Sequence, residues 1–108
     1  MASSNSITHL RRKRAETFKA LGHPARLQIV DMLVRGEHCV CDLVDEVGLG
    51  WSTVSRHLSV LKAAGVVEDE KRGLQVFYRL ALPCVGTFSA CLDAARRGEK
   101  VEVRACCA

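Results

Sequence analysis

The stretch that decides the fold is Gly48-Leu49-Gly50-Trp51-Ser52-Thr53-Val54-Ser55-Arg56-His57-Leu58-Ser59-Val60-Leu61. Val54, Leu58 and Leu61 recur at the spacing of one helix face, which predicts that they point inward. Thr53, Ser55, Arg56, His57, Ser59 and Lys62 are left outside. Leu49-Gly50-Trp51 reads as a tight turn. Ser52 is placed as the N-cap, because its hydroxyl can accept from a free backbone N–H, and Gly65 as the residue that closes the helix. Just upstream, Val40, Leu43, Val44 and Val47 repeat as i, i+3, i+4, i+7, the stripe of a preceding helix that Gly48 ends. Two helices joined by a short turn, the second presenting small hydroxyl residues, an arginine and a histidine, fit a helix-turn-helix. The second helix of such a unit enters a DNA major groove.

Working outward, Met1 to Ser6 is a small, polar end expected to fray. Ala15, Phe18 and Leu21 fall at helical spacing within Ile7 to Leu21, until Gly22-His23-Pro24 interrupts them. A second helix is predicted from Ala25 to Arg35, with Leu27, Val30 and Leu33 inward and Gly36 as its stop. Beyond the helix-turn-helix, Val66 to Glu70 and Leu74 to Leu80 read as strands, with Lys71-Arg72-Gly73 as the turn of a basic-tipped wing. Pro83 suits the first turn of a last helix, where Val85, Phe88, Leu92 and Ala95 make an apolar stripe before Arg96-Arg97-Gly98. The expected fold class is mainly α with a small β-wing (α+β), a dimeric winged helix-turn-helix.

Composition bounds the function. The 108 residues are expected to form one domain over 1–108, with a polar N-terminal tail and a cysteine-containing C-terminal one and no room for a catalytic module. With 48% apolar residues a core is affordable, yet so short a chain gains from pairing, so a homodimer is expected. No apolar run approaches the roughly 20 residues that span a bilayer, and the start lacks the apolar stretch of a signal peptide, so the cytoplasm is expected and no membrane partner. In that reducing compartment six cysteines read as thiols for metal or redox chemistry rather than structural disulfides. A net charge of +4 permits a polyanionic partner without proving one.

Four motifs in order carry a resemblance that spans about Lys19 to Leu82: Leu21-Gly22-His23-Pro24-Ala25-Arg26-Leu27, Cys39-Val40-Cys41-Asp42-Leu43, Ser52-Thr53-Val54-Ser55-Arg56-His57-Leu58, and Leu61-Lys62-Ala63-Ala64-Gly65-Val66-Val67. Together they resemble the ArsR/SmtB family of metal-sensing repressors. The resemblance implies a dimeric winged-helix protein that holds double-stranded operator DNA when ligand-free and releases it on binding a metal or metalloid. Cys39-Val40-Cys41 most resembles the arsenic-sensing branch, in which thiolates bind As(III) or Sb(III); soft thiolates suit a thiophilic ion, and a helix N-terminus favours the thiolate. The best-known arsenic pattern has a third cysteine three residues beyond the second. Here that position is Val44, which also belongs to the core stripe.

A third sulfur must therefore come from elsewhere. Cys84 and Cys91 lie seven apart on the last predicted helix, about 10 Å along its axis, so they cannot clasp one ion within a chain; they read as small residues of a dimer interface. Cys106 and Cys107 follow a polar segment and are the candidates to complete the Cys39/Cys41 site, from the same or the partner subunit. A plain tail or a separate site are the alternatives. Cadmium- and lead-sensing members resemble this arrangement in recruiting distant cysteines, although theirs come from the N-terminus, and the zinc site of other members looks absent from the last helix. His38 reads as solvent-facing or as a ligand for zinc. Arg11-Arg12-Lys13-Arg14 is an arm on phosphate or a solvated face, and Trp51 a turn anchor or a residue near the DNA backbone.

On an ideal helix residues i and i+2 point about 200° apart, so Cys39 and Cys41 are expected to share an ion only by unwinding the first turn of their helix. That distortion would shift recognition helices that must match half-sites about 34 Å apart. Arg56, Lys62 and Arg72 are the expected phosphate anchors; Ser52, Thr53, Ser55 and His57 are the candidates for base or backbone contacts. Three other readings stand beside an As(III)/Sb(III) sensor: a Cd, Pb or Zn sensor, a thiol redox or sulfide sensor, and a small thiol enzyme. Against the enzyme, the chain has no phosphate-binding loop, no nucleophile with a base beside it, and no feature pointing to an organic substrate. As helix thiols of no special role, Cys39 and Cys41 would be expected nearer the Val40 stripe.

Overall fold

The computed structural model describes residues 4–100. Their elements run α1 (Ser4–Leu21), α2 (Pro24–Val34), β1 (His38–Cys39), α3 (Val40–Val47), α4 (Trp51–Ala63), β2 (Val67–Arg72), β3 (Gln75–Leu80) and α5 (Pro83–Arg96). The strands form an antiparallel sheet in the order β1-β3-β2, in which Val67 faces Leu80 and Arg72 faces Gln75, while His38 faces Tyr78 and Cys39 faces Phe77. This is a winged helix-turn-helix: α3 and α4 are the two helices, β2 and β3 the wing.

The core lies where the predicted stripes meet. Ile29, Val30 and Leu33 of α2, Leu43 and Val44 of α3, and Val54, Leu58 and Leu61 of α4 are buried together with Val66, Val67 and Val85. Full burial of each such side chain contributes about 1.5–3 kcal/mol before entropy is counted, so α4 is held in place chiefly by this face. Gly48 ends α3 in the left-handed region, φ 73°, where a side chain would be strained. Gly65 does the same after α4, φ 78°: its N–H donates to Lys62 O, that of Val66 donates to Leu61 O, and the chain turns straight into β2.

Several expectations are corrected. Helix α1 already includes Ser4 to Ser6. Ala15 and Phe18 are exposed, and it is Ala20 that α1 buries. Helix α2 begins at Pro24, with the His23 ring accepting the Ala25 N–H at 3.0 Å as its N-cap; Leu27 is exposed, and Ile29 and Met32 take its place inside. Ser52 is not the N-cap of α4. That helix starts at Trp51 from Gly50, which offers no side-chain cap, and Ser52 is its second residue. The wing turns at Gly73-Leu74, because β2 continues through Arg72, so its tip is the fully exposed Leu74 rather than a basic triplet. Strand β1, too short to show any alternation, went unpredicted.

On the outer side, Ile7, Leu10 and Phe18 of α1 and Phe88 and Leu92 of α5 are about half exposed or more. Phe18 and Phe88 meet edge to face with centroids 6.1 Å apart, which ties the two helices together. No helix among the described residues is long and apolar enough to cross a membrane.

Candidate inducer site and nucleic-acid interface

Cys39 is the last residue of β1 and the N-cap of α3. Its backbone is extended, φ −75° and ψ 159°, and its Sγ accepts the Asp42 N–H at 3.4 Å. Cys41 lies in the first turn of α3. Because Cys39 stands outside the helix, the two side chains do not diverge by the angle of an ideal helix; the sulfurs meet, joined as a disulfide, with Cα atoms 5.4 Å apart. The expectation that the helix must unwind to bring them together is thus corrected. The bridge encloses only Val40 and so constrains the unfolded chain little.

Cys39 is buried, Cys41 half-buried and Asp42 exposed, and one ligand atom from each lies within 4.8 Å of the others. Reduced to thiolates, the two sulfurs would suit a thiophilic ion, and Asp42 adds a nearby oxygen donor that reasoning from spacing overlooked although it is the next residue in the chain. Cys106 and Cys107 lie outside the described residues. Cys84 and Cys91 are half-buried on α5, away from this cluster. The His38 ring Nδ1 is 2.9 Å from Gly36 O, to which it donates, and His38 is not among the clustered ligand atoms. Beside the sulfurs opens a cavity of about 360 Å³, walled by α4 through Trp51 and Ser55 and by the wing through Leu74, Val76 and Tyr78.

The outer face of α4 presents Ser52, Thr53, Ser55, Arg56 and Ser59, all exposed as expected. His57 is the exception. It is 8% exposed, its ring stacks at a tilt on His23 with centroids 4.4 Å apart, and its Nδ1 accepts the Nε–H of Arg26 at 3.1 Å. Burial first, then His23, Arg26 and Arg56, holds its pKa below the ordinary 6.5, so it is a neutral strut between α2 and α4. Its expected place on the DNA face is therefore corrected.

The cations of the wing and of the last turn of α4 are largely engaged. Lys62 Nζ lies 2.9 Å from Asp69, a contact that raises its pKa. Arg72 donates from Nη2 to Glu37 at 2.9 Å and to Glu70 at 2.7 Å, and its guanidinium lies 4.6 Å from the centre of the Phe77 ring. Arg79 pairs with Glu68 at 3.0 Å. Lys62 and Arg72, expected as phosphate anchors, each have a carboxylate competing for that role. Arg56 and Lys71 are exposed and make no ion pair among the described residues.

A recognition helix with an exposed hydroxyl-rich face, a paired wing, and a buried strut that sets the helix angle define a helix-turn-helix regulatory protein. Residues 23–69 match the model of the bacterial regulatory proteins of the arsR family. Over 84 residues the chain is 40% identical to the biofilm growth-associated repressor of Xylella fastidiosa, covering 70% of this chain and 74% of that one. Over 91 residues it is 37% identical to the arsenical resistance operon repressor of Escherichia coli, covering 83% and 78%. It superposes with a TM-score of 0.82 and 30% identity on the homodimeric winged helix-turn-helix domain of a possible ArsR-family regulator from Mycobacterium bovis, covering 95% of this chain and all of that one. The chain belongs to the ArsR/SmtB family of transcriptional regulators.

Proposed function

We propose that the protein is a dimeric repressor that holds operator DNA and releases it when Cys39 and Cys41 take up trivalent arsenic or antimony. The observation that carries this reading is the meeting of two sulfurs at the junction of β1 and α3. A thiophilic ion there supplies strong bonds to sulfur, and the chain's own residues would turn them into motion. Cys39 is hydrogen-bonded by strand pairing to the wing and caps the helix that packs against α4. Turning its Sγ toward an ion competes with the Asp42 N–H bond and pulls β1 against β3, so one event strains both DNA-contacting elements. A coupling of about 1–3 kcal/mol changes operator affinity about 5- to 150-fold.

In this reading Arg56 anchors phosphate, and Ser52, Thr53 and Ser55 reach base edges or backbone. Lys62 and Arg72 contact phosphate only by leaving Asp69 and Glu37. The exposed apolar residues of α1 and α5 meet those of a second copy, and a sulfur of Cys106 or Cys107 completes the arsenic shell. We place the protein in the cytoplasm, acting as one domain. Operator release followed by fluorescence anisotropy tests the function: arsenite should free the reduced wild-type protein from DNA, and unchanged release from a Cys39→Ser/Cys41→Ser variant would sink it. Serine retains the capping ability of residue 39, so the variant should fold. Release by Cd, Pb or Zn in place of arsenite would reassign the inducer within the family.

A second reading, a thiol redox sensor, is favoured by one observation: Cys39 and Cys41 are close enough to be joined. Release by peroxide where arsenite has no effect would establish it.

A further inference from the structure

We infer that Leu74, at the tip of the wing, is an apolar wedge for the DNA minor groove beside each half-site, and that it makes operator choice depend on a flexible pyrimidine–purine step there. The inference rests on the DNA-holding half of the proposed function and is independent of the inducer. Leu74 is fully exposed and takes no part in the core. Tight hairpin loops favour Gly, Asn, Asp and Ser, so neither burial nor turn preference accounts for a leucine at this place. Of the two loop residues, Gly73 alone has a positive φ, 61°, the pattern of a type II′ turn. That turn fixes the backbone of Leu74, so little ordering is left to be lost when the side chain docks.

The strand register places the tip on the side that reads DNA. Lys71 stands opposite Val76, and Asp69 opposite Tyr78. Opposed residues of an antiparallel pair share a face, and Asp69, Val76 and Tyr78 line the groove that faces α4, so Lys71 belongs to the wing face turned toward the recognition helix. Arg72 and its carboxylates occupy the other face. Leu74 borders the same groove as Trp51 and Ser55, in the first turns of α4, the end of a recognition helix that meets base edges. Six-residue strands carry the tip about 20 Å beyond Val67, far enough to pass the phosphate ridge beside a helix seated in the major groove. The minor groove, about 6 Å wide, admits a leucine side chain. Lys71 is exposed and makes no ion pair among the described residues, so it can hold a phosphate on the rim while Leu74 enters. An apolar side chain pressed between base pairs partly unstacks them and bends the duplex, which costs least at TA and CA steps.

The reduced full chain first selects duplexes from a random pool, and the adenine of the flanking step is then replaced by 2-aminopurine, which brightens when unstacked. Wild type should brighten it, and Leu74→Gln, similar in length but polar, should not. Leu74→Gln should bind the selected duplex about tenfold more weakly through the apolar area no longer buried. Its salt dependence should match that of wild type, because no phosphate contact is lost. Leu74→Met should keep the affinity within about threefold, since methionine is also an apolar wedge. Changing the flanking step to a stiff A-tract should cost wild type about tenfold and Leu74→Gln about twofold or less. Both variants should melt at the wild-type temperature, as residue 74 is fully exposed. Affinity unchanged in Leu74→Gln, a loss carried by the salt slope, equal losses in Leu74→Met and Leu74→Gln, or 2-aminopurine emission that ignores residue 74 would each overturn the inference and leave the operator reading intact. A wild type that enriches no duplex would remove both.

Discussion

Glu37 and Arg72, 35 residues apart in the chain, are joined across the sheet by paired carboxylate–guanidinium contacts, with Nη2 of Arg72 also held by Glu70. The arginine that sequence offers as a wing anchor for DNA is thereby turned back toward the segment that leads into Cys39. Lys71, beside it, and Arg56 on α4 have no such partner among the described residues.

Counterion release distinguishes cations that touch phosphate from those that do not. Each phosphate contact in a chain contributes about 0.9 to the slope of log affinity against log salt. Because the dimer carries each substitution twice, Lys71→Ala and Arg56→Ala should each lower the slope by about 1.8. Arg72→Ala should leave the slope almost unchanged while loosening the wing, seen as faster amide exchange in β2 and β3. A full drop in slope for Arg72→Ala would show that the arginine leaves Glu37 to bind DNA.

His57 makes stability depend on pH with a definite sign. Burial, and then the neighbouring His23, Arg26 and Arg56, lower its folded pKa below 6.5, so the unfolded chain takes up the proton first as pH falls. The stability gained by keeping His57 neutral is full above its unfolded value and is lost as pH drops from about 6.5 toward the lowered one. Thermal melts between pH 7.5 and pH 5 should show wild type losing Tm more steeply than His57→Gln, which keeps an acceptor for Arg26 but does not titrate. Parallel curves would remove His57 from the explanation.

Helices α2 and α5 approach each other at Gly86, where an added Cβ would stand 2.6 Å from Val34 Cγ2. Valine is stiff at χ1 in a helix, so it yields poorly. Gly86→Ala should cost about 1–3 kcal/mol by overpacking. Each kcal/mol lowers Tm by about 4–8 °C in a domain of this size. Val34→Ala in the same chain should recover most of the loss, and a double variant no better than Gly86→Ala would place the strain elsewhere.

What could be read in advance follows the range of the forces involved. The inward residues Leu43, Val44, Val54, Leu58 and Leu61 were legible because a helix buries one face and its period is local. His57 was legible too, and was missed: Val54, His57, Leu58 and Leu61 stand at i, i+3, i+4, i+7, so its place in the stripe outweighs its polarity once Arg26 supplies a partner. Ser52 failed because hydroxyl preference at an N-cap is weak beside the geometry of the Gly48 to Gly50 turn. Strand β1 was not legible, since two residues carry no period and their pairing with Phe77 and Tyr78 is fixed by contacts nearly 40 positions away. With β1 hidden, the N-cap role of Cys39 was hidden too, and with it the reason that Cys39 and Cys41 converge.

That convergence makes oxidation and arsenic binding mutually exclusive. A disulfide between Cys39 and Cys41 removes both sulfurs that the proposed site needs, and the bridge should be readily reversed because it encloses a single residue. Protein oxidised with diamide should therefore show no arsenite-dependent release of operator, with full response restored by dithiothreitol that is removed before the assay. Alkylation and mass spectrometry would confirm that Cys39 and Cys41 are the protected pair. The state of the oxidised protein on DNA then decides between the two readings of the site. If it stays bound until reduced and given arsenite, the disulfide is a silenced form of an arsenic sensor. If oxidation alone frees the operator, the same strain on β1 and on the Cys39 cap is being driven by sulfur–sulfur bond formation, and the redox reading takes precedence.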